Sequence, residues 1–379
     1  MTIPEIPSGA RIERIEMARL TGRRPRAAGK NARLDEHGTD VSLDVIRVTI
    51  GGLTGWGWAH LSREAAEAMV GTPAREVFDA GDGVCPTYRA LQFPLLDWLG
   101  RAAGQPVYAL LTGGAGDAPL MAPCYDTSLY IDDLHLPDDA EAVALLCEEA
   151  RAGLAQGHTA FKLKVGRGAR HMPLEEGMRR DIGIILGVRD AIGPDASLML
   201  DANNGLNLNL TKRLLSETAS ARIYWMEEPF HEDDVLYRDL KAWMGQEGLD
   251  VLIADGEGAA HPDLVRWAGD GLVDVVQYDV RGYGFVEWLE LGRRLDAMGV
   301  GTAPHQYGGM YGNYAAPHLK AAIDGFAFAE WDEAAVDGID ASAYRIEQGH
   351  VVVPARPGFG LELDEAHFAS RVRAEGWMV

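Results

Sequence analysis

Apolar residues gather into two β-rich runs, at 12–20 and 41–50, followed by a glycine-rich turn through Gly51, Gly52, Gly55 and Gly57. Residues 63–70 have helical composition. The run 90–111 carries apolar residues at helical intervals, with breaks near Gly104 and Pro106. Residues 1–120 therefore predict a small α+β domain.

From about residue 121 short apolar strands alternate with helices, and the strands end at Lys164, Asp201, Glu227, Asp255, Asp279, His305 and Glu330. Past Asp201 these ends recur every 24 to 28 residues, enough for one strand, one helix and two short loops. One unit shows it plainly. A strand at 273–278 precedes Phe285, Leu289, Gly292, Leu295 and Met298 on one helical face, and Gly299 stops that helix before a strand at 300–303. The predicted class is α/β, a modified (β/α) barrel of seven to eight strands over residues 121–345. Segments 347–353 and 360–363 read as a hairpin joined through 354–358, and residues 346–379 as a hairpin and tail returning to the first domain.

Parallel barrel strands bring their C-terminal ends to one rim, so the polar residues there converge. The rim collects Lys162, Lys164, Asp201, Asn203, Glu227, Glu228, Asp255, Glu257, Asp279, His305 and Glu330. Asp201, Glu227 and Glu257 come from consecutive strands and give hard oxygen ligands around one point, the donor set Mg²⁺ prefers; Asp255 is an alternative third ligand. Lys162 and Lys164 are two apart, so they share a face. Burial and a neighbouring cation would depress a lysine pKa and make a general base, while pairing with rim carboxylates would make it structural. Asp279 and His305 end neighbouring strands, and an aspartate holding one imidazole nitrogen leaves the other for proton transfer.

Composition narrows the field. With 35 Lys+Arg against 57 Asp+Glu the net charge is −22, which disfavours nucleic acid and anionic lipid as partners. Cys85, Cys124 and Cys147 form no paired motif and read as reduced thiols, an expectation of a cytoplasmic protein; no run is apolar for long enough to span a membrane. Gly55-Trp-Gly57 and Gly166-Arg-Gly168 lack the last glycine of a dinucleotide fingerprint, and there is no phosphate loop or serine elbow.

The assembled pattern resembles the enolase superfamily, in the mandelate racemase branch of its mandelate racemase/muconate lactonizing enzyme family. The likeness rests on Gly52-Leu-Thr-Gly-Trp-Gly57, Leu96-Asp-Trp-Leu-Gly100 with Gln105-Pro-Val-Tyr108, Phe161-Lys-Leu-Lys164, and Leu200-Asp-Ala-Asn-Asn-Gly205. It continues through Trp225-Met-Glu-Glu-Pro229, Ala254-Asp-Gly-Glu257, Gln277-Tyr-Asp279, Pro304-His305 and Pro357-Gly-Phe-Gly360. Such sites use a Lys or His base with Mg²⁺ against an enediolate, so this chemistry is inherited from the family. The resemblance implies metal ligation by Asp201, Glu227 and Glu257, with Lys164 as base on one face of the substrate α-carbon. By the same likeness Lys162 neutralises the substrate carboxylate, His305 oriented by Asp279 acts on the other face, and Glu330 hydrogen-bonds the carboxylate as it gains charge.

Two departures stand out: Trp58 where many relatives carry glutamate, and Asp279-Val-Arg-Gly-Tyr-Gly284 without the usual paired glycines. The basic segment with Arg23, Arg24, Arg26, Lys30 and Arg33 would belong to the capping domain. Its cations, Arg24 among them, are expected to meet a second carboxylate or a hydroxyl-rich tail, or else to ride on a solvated loop. The expected substrate is a small carboxylate and the expected reaction dehydration of an acid sugar. Racemisation or epimerisation of a 2-hydroxy or amino acid is the alternative, and a Schiff-base lyase or a non-catalytic acid-binding barrel stand as readings of other classes. Relatives commonly form homo-oligomers.

Overall fold

The computed structural model describes residues 1–81, 83–307 and 310–379. Three antiparallel strands open the chain: β1 (Ile12–Ala28), β2 (Gly38–Ile50) and β3 (Leu53–Trp58). β1 outruns its expected end at residue 20, because Gly22 and Arg23 stay paired with Val41 and Asp40 of β2. Inside/outside alternation persists there, but Gly22 and Arg24 take the buried positions, so the period is invisible to hydropathy. The helix Gln92–Ala103 lies so close to β3 that a Cβ on Gly55 would stand 2.4 Å from the Trp98 backbone nitrogen. Only glycine fits there.

Buried Asp97 on that helix accepts hydrogen bonds from the backbone of Trp56 (3.0 Å) and Phe359 (3.0 Å) and from Arg101 (2.7 Å). The motifs around Asp97 and Phe359 are thus two halves of one clamp that fastens the capping domain to the barrel.

Among the described residues eight parallel strands make the barrel: β4 (Leu120–Leu129), β5 (Ala160–Lys164), β6 (Ser197–Asp201), β7 (Trp225–Glu227), β8 (Leu252–Asp255), β9 (Val275–Val276), β10 (Gly301–Thr302) and β11 (Ala329–Trp331). They pair in chain order from β4 to β10, and β11 pairs with β4. The remaining seam is bridged at Thr302 and Phe326, with Thr302 N–H on Gly325 C=O (2.9 Å) and Ala327 N–H on Thr302 C=O (2.8 Å). On β5, Phe161 and Leu163 pack outward into the main core, whereas Ala160 joins Tyr125, Met199, Trp225, Val275 and Ala303 in an interior plug. Lys162 and Lys164 share the face of Ala160, so period-two geometry alone puts both ammonium groups inside.

Past the barrel come β12 (Ala335–Val336), β13 (Ile339–Asp340), β14 (Arg345–Glu347), β15 (His350–Val353), β16 (Glu362–Leu363) and β17 (Trp377–Met378). The hairpin differs from the expected one. It turns at Gln348-Gly349 between β14 and β15, while β16 pairs with β13. The segment 354–358 cannot fold back because Gly358 lies against Gly100, where a Cβ would stand 2.5 Å from the Gly358 nitrogen. The tail does return to the cap: Trp377 pairs with Met17 of β1, and Phe368 packs under Arg47. Among the described residues no helix is long and apolar enough to cross a membrane.

Candidate active site

Asp201 and Glu227 stand side by side in the strand register, and Glu257 follows β8 in the next turn. The three present oxygens that all lie within 4.8 Å of one another. Asp255 is turned away: its Oδ2 accepts from the Tyr237 hydroxyl (2.6 Å) and its Oδ1 from Gly256 N–H (2.8 Å). The geometry therefore groups Glu257 with the other two. Glu257 Oε2 is buried without a hydrogen bond, an orphan acceptor facing two further carboxylates, and such a hard oxygen set fits a divalent cation such as Mg²⁺.

Glu227 is braced from behind. Its Oε2 accepts from the Trp225 indole (3.1 Å) and the Gln277 amide (2.9 Å), and its Oε1 from Lys162 (2.7 Å). Neither Trp225 nor Gln277 was singled out from the sequence for this part. Their two-residue spacing from Glu227 and Asp279, which puts each on the same strand face, was the available signal.

Lys162 is fully buried and also reaches Glu330 (3.1 Å), while Lys164 bonds Asp201. Burial disfavours both ammonium groups, yet the facing carboxylates outweigh it. Glu227 and Glu330 hold Lys162 well above the ordinary lysine range, and Asp201 raises Lys164. This reverses the depression expected from burial beside a second cation, because the register puts Asp201 directly beside Lys164.

Across the mouth, His305 Nδ1 bonds Asp279, and the two residues form a parallel backbone bridge. Nε2 faces Glu257 (3.4 Å) and Glu330 (3.6 Å). Burial opposes protonation of the ring, but Glu257, Glu330 and Asp279 prevail and push its pKa up to about 10.

Glu330 is held from several sides. Burial would raise its pKa, but Lys162 and His305 bring it well below the usual carboxylate range. Its oxygens accept from the Thr127 hydroxyl (2.7 Å) and from the N–H groups of Gln306 (2.8 Å) and Tyr307 (3.2 Å).

Asn203 sits in the left-handed region at φ 43°. Its N–H donates to Asp201 Oδ1 (2.8 Å), its side-chain amide donates to Glu228 (3.2 Å), and its Oδ1 is buried without a hydrogen bond. Burial, with Glu257 nearby, pushes Glu228 up to about 7. Arg24 is placed otherwise than expected. It forms a buried two-pronged pair with Asp332 (3.2 and 2.9 Å) and lies 4.8 Å over the Tyr307 ring, so its charge is already matched within the protein. The two sequence departures meet: the Arg281 guanidinium lies 5.2 Å over the Trp58 ring, at the junction of cap and barrel.

A parallel barrel whose rim gathers three carboxylates, two inward lysines and a His–Asp pair under an α+β cap defines the class of capped, metal-dependent barrel enzymes. The chain belongs to the enolase superfamily: the model of the family described as enolase C-terminal domain-like matches residues 145–367. A variant of galacturonate dehydratase from Geobacillus sp., solved with Mg, is 49% identical and superposes with a TM-score of 0.97 over 100% of this chain and 99% of that one. The same dehydratase solved with D-galacturonate and 5-keto-4-deoxy-D-galacturonate is 50% identical, with a TM-score of 0.95 over 98% of this chain and 100% of the other. Arabinonate dehydratase of Saccharolobus solfataricus is 28% identical over 286 residues, 72% of this chain and 69% of its own length. These relatives are dehydratases, that is, hydro-lyases.

Proposed function

We propose that this protein is a Mg²⁺-dependent acid-sugar dehydratase acting on a hexuronate of the D-galacturonate type. The supporting observation is the pair of proton-transfer groups flanking the carboxylate cluster, Lys164 beside Asp201 and His305 beside Asp279, in a chain about half identical to a galacturonate dehydratase over nearly its whole length. Dehydration needs both a base for the proton next to the carboxylate and an acid for the departing hydroxyl.

Asp201, Glu227 and Glu257 would hold Mg²⁺, which when bound supplies Lewis-acid stabilisation of the charge that accumulates on the substrate carboxylate. Asp201 is the carboxylate that raises Lys164, so a cation drawing on Asp201 would free Lys164 to take the proton from C5, the carbon bearing the carboxylate. Lys162 offsets the growing negative charge, and Glu330 and Glu227 keep it in place. His305 gives its Nε2 proton to the C4 hydroxyl, which leaves as water while the electron pair from the broken C5–H bond forms the C4–C5 double bond. The resulting enol becomes a 5-keto-4-deoxy acid. No step is covalent, so borohydride should trap no adduct on Lys162 or Lys164. The three unpaired cysteines suit a reducing compartment such as the cytoplasm, where this enzyme would serve the breakdown of acid sugars, and we propose that it works there as a homo-oligomer.

Proton NMR in D₂O with Mg²⁺ and D-galacturonate tests the reading. We expect loss of the C5 proton signal together with appearance of a deoxy carbon at C4. Exchange at C5 with the C4 hydroxyl retained would move the assignment to an epimerase.

A further inference from the structure

Between β1 and β2 the cap sends a short loop over the barrel mouth, and it is fastened rather than loose. Asn31 Oδ1 accepts from the backbone of Arg33 (2.9 Å) and Leu34 (2.7 Å), and its carbonyl meets His171 Nε2 (2.7 Å). Arg170 grips Asp35 (2.9 Å), and Lys30 pairs with Ile131 of the barrel. The loop ends at His37, whose ring lies 5.3 Å edge-on to Tyr307 and 5.6 Å from Tyr130, and the Tyr130 ring in turn lies 5.8 Å from the Lys164 ammonium.

Chemistry fixes how this imidazole is presented. His37 Nδ1 lies 2.7 Å from the Gly29 carbonyl, which can only accept, so Nδ1 carries the proton. Burial, and then the charges of Lys164 and Arg24, hold the ring below the ordinary histidine value and hence neutral. Nε2 is left as a bare lone pair with no hydrogen-bond partner among the described residues. Edge-on to the ring lies Tyr307, whose buried hydroxyl interacts with that of Tyr130. An unused acceptor therefore stands at the mouth. Two cations of this wall are already matched, Arg24 by Asp332 and Lys164 by Asp201.

We propose that His37 is the specificity-determining contact for the far end of the substrate: it accepts a hydrogen bond from a sugar hydroxyl, and the site thereby takes hydroxylated monoacids in preference to diacids. The inference rests on the dehydratase reading for where the substrate lies. It deepens that reading by naming the substrate's other end as neutral. A carboxylate there would set its charge against a lone pair, whereas a hydroxyl would donate to it.

The test is calorimetric binding of D-galacturonate and of its diacid counterpart D-galactarate to the Mg²⁺-loaded full chain, alongside turnover, for wild type, His37→Gln, His37→Phe and His37→Lys. Wild type should bind the monoacid at least about 10-fold more tightly than the diacid. His37→Phe should lose about 10-fold or more for D-galacturonate, His37→Gln should recover most of that, and His37→Lys should shift preference toward the diacid. Mg²⁺ alone, whose ligands His37 does not touch, should bind the Phe variant as it binds wild type, which separates a lost contact from a disturbed fold. D-galacturonate affinity within twofold of wild type in His37→Phe, or an equal loss for Mg²⁺, overturns the proposal. Binding with this pattern but without turnover would leave the subsite standing and sink the dehydratase assignment, and binding of neither sugar acid would sink both.

Discussion

Two buried charge clusters lie within one barrel, and they are built on opposite plans. Behind β5, fully buried Arg167 donates to Asp133 (2.6 Å) and Asp181 (2.6 Å), Arg180 adds a second cation on Asp133 (3.3 Å), and Asp181 also accepts the backbone N–H groups of Gly166 and Arg167. There every charge faces its opposite. At the mouth, Lys162, Lys164 and His305 face Asp201, Glu227, Glu257, Glu330 and Asp279, and buried acceptors on Asn203, Gln277 and Glu257 are left without hydrogen bonds. Surplus negative charge and orphan acceptors are costly to keep in a folded chain. A structural cluster balances itself, whereas the mouth is complete only when something cationic and something hydroxylated arrive.

The sharpest way to break the comparison is to neutralise one member of each cluster. Asp201→Asn should lower kcat/KM on the order of 10³-fold and abolish the thermal stabilisation that excess Mg²⁺ gives wild type, about 2.7 kcal/mol at a hundred times Kd. Without metal it should also lose some stability, because buried Lys164 loses the carboxylate it bonds. Arg167→Met should instead leave the chemistry alone. Denaturant titration should show a loss of about 3 kcal/mol or more, since buried Asp133 and Asp181 lose their partner, while kcat per folded molecule stays close to wild type. If Arg167→Met silenced the enzyme without unfolding it, the division between the clusters would fail.

Finer tests sharpen the boundary. Gln277→Leu removes one brace from Glu227 and should weaken Mg²⁺ binding about 10-fold by calorimetry, with little change in melting temperature of the metal-free chain.

A last test falls on His318, fully buried and outside the mouth cluster. Its Nδ1 accepts from Tyr108 N–H (3.0 Å), its Nε2 meets the Tyr344 hydroxyl (3.0 Å), and burial pushes its pKa down to about 3. It stays neutral when folded but gains a proton when unfolded below about pH 6.5. The stability it contributes is therefore intact above that pH and lost as pH falls from about 6.5 toward 3, at up to about 1.4 kcal/mol per unit. His318→Gln should flatten the slope measured between pH 6.5 and 5.

What could be read from the sequence followed one rule, and what could not broke it. Past Asp201 the barrel strands end in charged residues every 24 to 28 residues, so Glu227 and His305 stand out, while Lys164 ends an apolar strand further back and strand parity places Lys162 inside with it. Contacts between residues distant in sequence leave no such period. The pairing of Arg24 with Asp332 needed the cap and the last barrel strand in the same frame. The ionised state of Glu330 depends on Lys162 and His305 arriving together, and the choice of Glu257 over Asp255 on Tyr237 filling the latter's coordination sphere. His37 lies in a segment dominated by cations, of which Arg24 and Arg26 are matched by Asp332 and Glu149, and Arg23 pairs with Asp40 at the surface.

The capping sheet also sets an order of events on the ribosome. β1 emerges among the earliest residues, but β12 and β17 that edge it, and Glu365 that meets Arg47, follow some three hundred residues later. The barrel strands are all synthesised in that interval. The nascent cap must therefore wait with an open strand edge while the barrel grows, a window in which pairing with another nascent chain competes with the native closure.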